Sequence, residues 1–168
     1  MAACKIDPTV QLSESGLPLI PRCWIADLEP AKVSECLYDA LLSAVMRDKA
    51  EWDLVAARLH SLPQRWRLIY SICCLQAQVD NGGHDQFFRN GFGEFDDEVE
   101  ADLRLIGAED FLRLFVEARR LYYSVPPNQM ERIPELYPLD DAFYKQEKSL
   151  FVMVGEHVLA HLTEYCVD

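Results

Sequence analysis

Two histidines near the end of the chain have the spacing of metal ligands. His157 and His161 are four residues apart, so on a helix both side chains project from one face. The segment reads His-Val-Leu-Ala-His and lacks the glutamate that follows the first histidine of zinc proteases. Glu156, Glu164 or His84 could supply a third ligand, but no spacing requires it. We therefore expect no metal and no cofactor, and keep as an alternative a small-ligand or metal-dependent enzyme using His84, His157 and His161.

Other catalytic arrangements are absent from the sequence. There is no Gly-x-Ser-x-Gly motif, and Gly82-Gly83 follows a predicted helix without the lysine of a phosphate-binding loop. Asp140 and Asp141 are adjacent carboxylates, which we expect to cap the helix that begins there. The sequence therefore predicts a protein with no catalytic residues that is not an enzyme.

The cysteines and the apolar runs indicate a cytoplasmic protein. The six cysteines form no Cys-x-x-Cys pair. Cys36, Cys73 and Cys166 lie among apolar residues at helical spacing, which is typical of small buried hydrophobes in a reducing cytosol. The first residues have no apolar segment of a secretory signal. No apolar run approaches the ~18 residues that cross a bilayer, so no membrane association is expected.

The chain is strongly acidic. Its 168 residues carry a formal net charge of -12, and half of them are hydrophobic, which is enough to bury a core. Such a field repels a phosphate backbone and attracts a basic protein. The composition therefore disfavours direct binding to nucleic acid and favours a basic partner protein.

The acids are densest between residues 94 and 102. On a helix with a rise of ~1.5 Å per residue, this run carries roughly one charge per 2 Å, and duplex DNA carries about one per 1.7 Å of axis. The helix dipole favours Asp96, Asp97 and Glu98 in the first turn, but it does not account for Glu100 and Asp102. We expect a partner-binding surface formed by Glu94, Asp96, Asp97, Glu98, Glu100, Asp102, Glu109 and Asp110. Of these, Glu94, Glu98, Glu100 and Asp102 are expected to be exposed, and Glu109 and Asp110 either extend the surface or cap the next helix.

A turn signature precedes this acidic run. Its glycines permit positive φ, its Asp, Asn and Gln side chains satisfy backbone groups in turns, and its phenylalanines need burial. The expected result is a rigid structural corner between helices, with a small-ligand pocket as the rival interpretation. The residues of this structural motif are Asp80, Asn81, Gly82, Gly83, Gln86, Phe87, Phe88 and Asn90.

Helical periodicity dominates the rest of the chain. Apolar residues recur at helical spacing over residues 31–46, 51–60, 63–80, 95–106, 109–122, 139–148 and 149–164. No alternating strand pattern extends beyond a few residues. Four prolines before residue 31 prevent a long helix there. We predict an all-α, single-domain irregular bundle of about six to eight helices, in which residues 1–30 form an arm packed on a body of residues 31–168.

Three strings of residues carry a resemblance to a known family. They are Gln78-x-Asp80-Asn81-Gly82-Gly83-x-x-Gln86-Phe87-Phe88-x-Asn90-x-x-Gly93, then Ile106-Gly107-Ala108, then Leu139-Asp140-x-x-Phe143-Tyr144. The pattern resembles the DNA-mimic-protein family over roughly residues 31–165. The resemblance implies an all-α fold, no known catalysis and, in one branch, carboxylates that imitate the DNA backbone. His84 departs from the aromatic or aliphatic residue more usual at its position.

Two binding hypotheses follow beside the enzyme alternative. The first is a DNA mimic that occupies the DNA-binding surface of a basic protein. The second is an immunity or adaptor protein that neutralises a basic toxin or enzyme. The two differ in the partner, which the sequence does not name, and a homodimer is compatible with either.

Overall fold

Helices account for nearly all the regular structure of this protein. A computed structural model describes residues 11–13, 16–46, 52–126 and 133–167. Within these ranges the helices are α1 (Arg22–Ile25), α2 (Pro30–Val45), α3 (Trp52–Ser61), α4 (Gln64–Arg89), α5 (Asp96–Leu105), α6 (Glu109–Ser124), α7 (Tyr137–Tyr144), α8 (Leu150–Ala160) and α9 (Leu162–Tyr165). The two strands, β1 (Ile20–Pro21) and β2 (Cys166–Val167), have two residues each. The predicted all-α class is confirmed, and seven of the helices described have eight residues or more.

The chain divides into two compact units. One, the terminal unit, combines the residues up to Cys73 with those from Phe151 onward, and the other, the middle unit, is Cys74–Leu150. The split falls inside α4 and at the start of α8. No helix in the described ranges is long and apolar enough to cross a membrane.

The terminal unit is held together by contacts between its two ends. β1 pairs in parallel with β2, with Ile20 opposite Cys166. The Ser34 hydroxyl donates a hydrogen bond of 2.6 Å to the carbonyl of Phe151. Gly155 has no room for a side chain, because a Cβ there would lie 1.8 Å from the Pro30 carbonyl oxygen.

Part of the proline-rich segment belongs to this terminal unit. Ile20 and Ile25 are fully buried, and the four residues from Arg22 to Ile25 form α1 rather than a long helix. Residues 1–10 lie outside the described ranges. The predicted arm and its boundary at residue 30 therefore stay predictions.

The middle unit is built around the hairpin of α5 and α6. The two helices pack on each other across the turn at Gly107, where φ is 70° and the Ala108 N–H bonds the Leu103 carbonyl. Short 3₁₀ turns at Phe92–Phe95 and Pro134–Leu136 precede α5 and α7. α6 contacts α7, which brings the third family string onto this hairpin.

Helix α4 is kinked where the sequence predicts its end. The prediction stops the helix near Asp80, and the break occurs at Gly82 and Gly83, where the backbone leaves helical geometry. The chain then resumes a helical course to Arg89, in a stretch outside the helical ranges predicted from the sequence. The glycines thus redirect the helix instead of ending it.

Candidate functional site

The kink of α4 holds a carboxylate from a distant helix. We name residues 78–90 the glycine corner. The Asp140 Oδ1 atom, from α7, accepts the backbone N–H of His84 at 2.9 Å and lies 2.6 Å from His84 Nδ1. Gly83 has a φ of 77°, and a Cβ there would lie 2.3 Å from Asp140 Oδ2. The corner therefore requires glycine at position 83, both for its backbone and to admit the carboxylate.

Asp140 does not have the capping role expected for it. The N-cap residue of α7 is Leu136, without a side-chain cap bond. The prediction that Asp140 caps this helix is wrong, because its carboxylate is bonded to His84 instead. The only sequence signal for the pair is that Asp140 belongs to the third family string.

His84 is a fully buried residue of this corner. Its ring meets the Phe143 ring edge to face at a centroid distance of 5.5 Å. Nδ1 carries the proton shared with Asp140, while Nε2 has no hydrogen-bond partner among the described residues. Through its contacts with Asp140 and Phe143, His84 connects the first family string with the third.

An amide network continues the corner on its outer side. Gln78 Oε1 accepts hydrogen bonds from Gln86 Nε2 at 3.0 Å and from Asn90 Nδ2 at 2.9 Å. Asp80 accepts from the Gln76 amide. The hydrogen bonds found for the Gln78, Asp80, Gln86 and Asn90 side chains thus join side chains to one another, not to the backbone groups expected from the sequence.

The phenylalanines of the corner enter the core of the middle unit. Phe87 is fully buried and meets Phe115 edge to face at 5.9 Å. Phe88 is buried and stacks on Tyr122 at 4.7 Å. Both aromatic contacts join the corner to α6. The contacts are consistent with an architectural role, which stays a prediction until it is measured by mutation.

The acids expected at a partner-binding surface fall into two groups. Asp96 and Asp102 are buried, with exposed fractions of 8% and 3%, so the expectation that Asp102 is exposed is wrong. Because α5 packs on α6, these two positions face inward. The remaining six are exposed or half-buried, and we name them the acidic face: Glu94, Asp97, Glu98, Glu100, Glu109 and Asp110.

Arginines of the same unit accompany the acidic face. Arg119 lies 3.2 Å from Asp97 and 3.0 Å from Glu100. Arg104 also pairs with Glu100, and Arg113 pairs with Asp110. Three of these four pairs include an exposed side chain and are weak, contributing about 0–1 kcal/mol each to stability. The row of exposed carboxylates on α5 is therefore shorter than the sequence spacing suggests, and arginines neutralise part of its charge.

The middle unit nevertheless has most of the negative charge. The sequence between Cys74 and Leu150 contains 16 acidic and 8 basic residues, a net charge of -8 out of -12 for the chain. The Asp97 side chain is 96% exposed in spite of its contact with Arg119. The excess leaves this unit attractive to a cationic surface.

The buried Asp96 carboxylate accepts a hydrogen bond from the side chain of Tyr123. Desolvation raises its pKa from 3.8 to about 6, against the opposing effects of a hydrogen bond from Tyr123 and the charge of Arg119. The partial burial of Tyr123 itself, and then its hydrogen bond with Asp96, raise the pKa of Tyr123 to about 12. Asp96 Oδ1 is buried without a hydrogen-bond partner among the described residues. Ionised Asp96 is thus a cost to folding at neutral pH.

We expect Asp96→Asn to stabilise the protein at pH 7.5 by about 1–2 kcal/mol, after discounting the shift for partial solvent screening. The folded pKa is above the unfolded pKa, so the stability that this group contributes is complete below pH 3.8 and is lost as pH rises through 6. The advantage of Asn should therefore shrink on acidification. Urea denaturation at pH 7.5 and about pH 4 checks this, and equal effects at both would contradict it.

The histidine pair of the terminal unit is present as expected from its spacing. The rings of His157 and His161 are 4.5 Å apart, and His161 Nδ1 donates to the His157 carbonyl at 2.8 Å. Desolvation, followed by the neighbouring His161, lowers the pKa of His157. No group of three or more potential ligands suited to a metal occurs in the described ranges.

Comparison with known proteins identifies the family. A family described as DMP19-like protein matches residues 60–167. No curated protein and no solved structure is significantly similar to the chain. The family match covers more than half of the sequence, and it includes the glycine corner, the acidic face and α7. The chain therefore belongs to the DMP19-like family of DNA-mimic proteins, as the three sequence strings indicated.

Proposed function

We propose that this protein is a non-enzymatic acidic protein that binds a basic partner protein and occupies the surface with which that partner binds DNA. The family match carries this proposal, because residues 60–167 contain all eight acids expected at the interface. The charge of the middle unit supports it. Cytoplasmic location and the capacity to form a homodimer stay predictions.

The proposed interface is the acidic face. Asp97, Glu94 and Glu109 are exposed, so their carboxylates are accessible to lysine and arginine side chains. Glu100 and Asp110 have intramolecular arginine partners, and a partner's cations compete with these weak pairs. Asp96 and Asp102 lie below the surface, where they add to the negative field without direct contact.

The double replacement Glu94→Lys and Asp97→Lys should weaken partner binding by at least about tenfold. Both side chains are exposed, so folding should survive, whereas association steered by charge depends on them. Affinity capture from native extract, with quantitative identification of bound proteins, measures the effect at about 0.05 and 0.5 M salt. The captured protein should also be lost at the higher salt.

A matched control has the same change in charge elsewhere. Asp27→Lys with Glu29→Lys reverses two exposed acids of the terminal unit. This variant should retain the partner. Loss of the partner from both double variants would indicate a general effect of net charge, and retention by both would reject the acidic face as the interface.

A further inference from the structure

A cavity of about 260 Å³ lies beside the glycine corner, entirely within the middle unit. Two of the three family strings contribute to its wall. Asp80 comes from the first string, and Phe143 and Tyr144 come from the third. No residue of the acidic face lines this cavity. A ligand in this cavity would therefore bind to residues other than those of the partner-binding surface.

The Asp80 carboxylate is held in position by a neutral amide. Gln76 Nε2 lies 2.8 Å and 2.9 Å from its two oxygens. Gln76 is itself buried, and its Oε1 accepts the backbone N–H of Leu150 at 2.8 Å. The amide is a neutral donor, so it orients the carboxylate without neutralising it. A carboxylate prepared in this way suits a charge-assisted hydrogen bond to a cation.

Aromatic side chains also line the cavity. Phe111 and Phe143 meet at a centroid distance of 4.8 Å and an angle of 73°. Tyr144 is anchored by its hydroxyl, which donates to the Val79 carbonyl at 2.5 Å, while about half of the residue remains exposed. The faces of such rings carry negative partial charge and attract a cation, and a planar guanidinium also stacks on them.

The field at the rim of the cavity is negative. Burial, and then the charges of Asp140, Asp80 and Asp141, raise the pKa of the Tyr144 hydroxyl. Lys148 also lines the cavity and opposes this field, but three carboxylates act on the phenol. An anionic ligand would meet this field unfavourably. A cationic one would be stabilised by it.

We propose that this cavity binds a guanidinium group, with Asp80 accepting its N–H groups and the Tyr144 ring stacking on its plane. The side chains of Gln76 and Gln146 also line the cavity and add polar groups to its aromatic lining. The guanidinium belongs either to a free small molecule or to an arginine side chain of a peptide. This site goes beyond the proposed function and does not depend on it.

Titration with two guanidinium probes, followed by ¹H–¹⁵N NMR, tests the proposal. Agmatine represents a free molecule, and N-acetylarginine amide represents an arginine within a peptide. Saturable shifts are expected at the side-chain amides of Gln76 and Gln146. N-acetylcitrulline amide, a neutral isostere, should bind at least about tenfold more weakly than its arginine counterpart. Because this comparison uses the wild-type protein, it does not depend on the folding of any variant.

A pair of variants tests the assignment to Asp80. Asp80→Asn should weaken the binding of both probes by about tenfold, whereas Asp27→Asn, the same change at an exposed acid of the terminal unit, should leave it unchanged. Binding of agmatine alone would assign the site to a free molecule, and binding of both would admit an arginine side chain. Equal binding of the citrulline compound, an unaffected Asp80→Asn variant or no saturable shift would overturn the proposal.

Discussion

Replacement of Phe87 by alanine is expected to lower the free energy of unfolding by about 3–5 kcal/mol, the usual cost of removing a buried aromatic ring. Phe87 is fully buried and contacts Phe88, Phe92 and Phe115. The cavity left behind would lie where the glycine corner meets α6. Urea denaturation followed by circular dichroism gives the free energy directly.

Leu105→Ala is the matched control for Phe87→Ala. Leu105 also belongs to the middle unit, but it is 54% exposed, so its truncation should change stability by less than about 0.5 kcal/mol. A Phe87→Ala variant that unfolds like wild type would show that the corner does not depend on this anchor. The architectural interpretation of the motif would then be wrong.

Replacement of Gly83 by alanine is expected to destabilise the protein by about 2–4 kcal/mol. An L-residue at its φ of 77° costs about 1–2 kcal/mol. The added Cβ would also displace the Asp140 carboxylate from buried His84, and a lost hydrogen bond to a charged group costs about 1.5–3 kcal/mol. Thermal and urea unfolding both report this loss.

The neighbouring glycine supplies the comparison. Gly82 has a φ of −163°, which any residue adopts, and its added Cβ would meet the movable end of the Gln86 side chain. Gly82→Ala should therefore cost only about 0.5–1.5 kcal/mol, the net value of the Gln86–Gln78 hydrogen bond. An equal loss in the two variants would contradict the role assigned to the Asp140 carboxylate.

The sequence predicted local structure well where a local signal exists. Apolar spacing located α2 as residues 31–46, against Pro30–Val45 in the structure, and α5 as 95–106, against Asp96–Leu105. The breaker at Gly82 and Gly83 was placed correctly as a change in chain direction. Each of these features depends on residues within a few positions of one another.

The contacts that build the corner were not predictable in this way. His84 and Asp140 are 56 positions apart, and the choice of Asp140 as the partner depends on how α7 packs. A helix-start carboxylate is ordinarily a cap, so the local signal favoured the wrong role for it. The family string contained Asp140, yet it did not say what the residue contacts.

The acidic face shows the same limit for surface residues. From the spacing of the six acids between residues 94 and 102, all six are assigned to one surface. Packing of α5 against α6 instead buries Asp96 and Asp102. Arginines of α5 and α6 then pair with Glu100 and Asp97. Sequence spacing counts charges along one helix, but exposure and pairing are set by the neighbouring helix.

Competition with duplex DNA tests the proposed mimicry most directly. The partner captured by the wild-type protein should be released by duplex DNA in a concentration-dependent manner, because both ligands use one cationic surface. The protein alone should not alter the electrophoretic mobility of the same duplex, since its net charge of -12 repels the backbone. A partner that stays bound at saturating DNA would contradict DNA mimicry and would assign the acidic face to another surface of that partner.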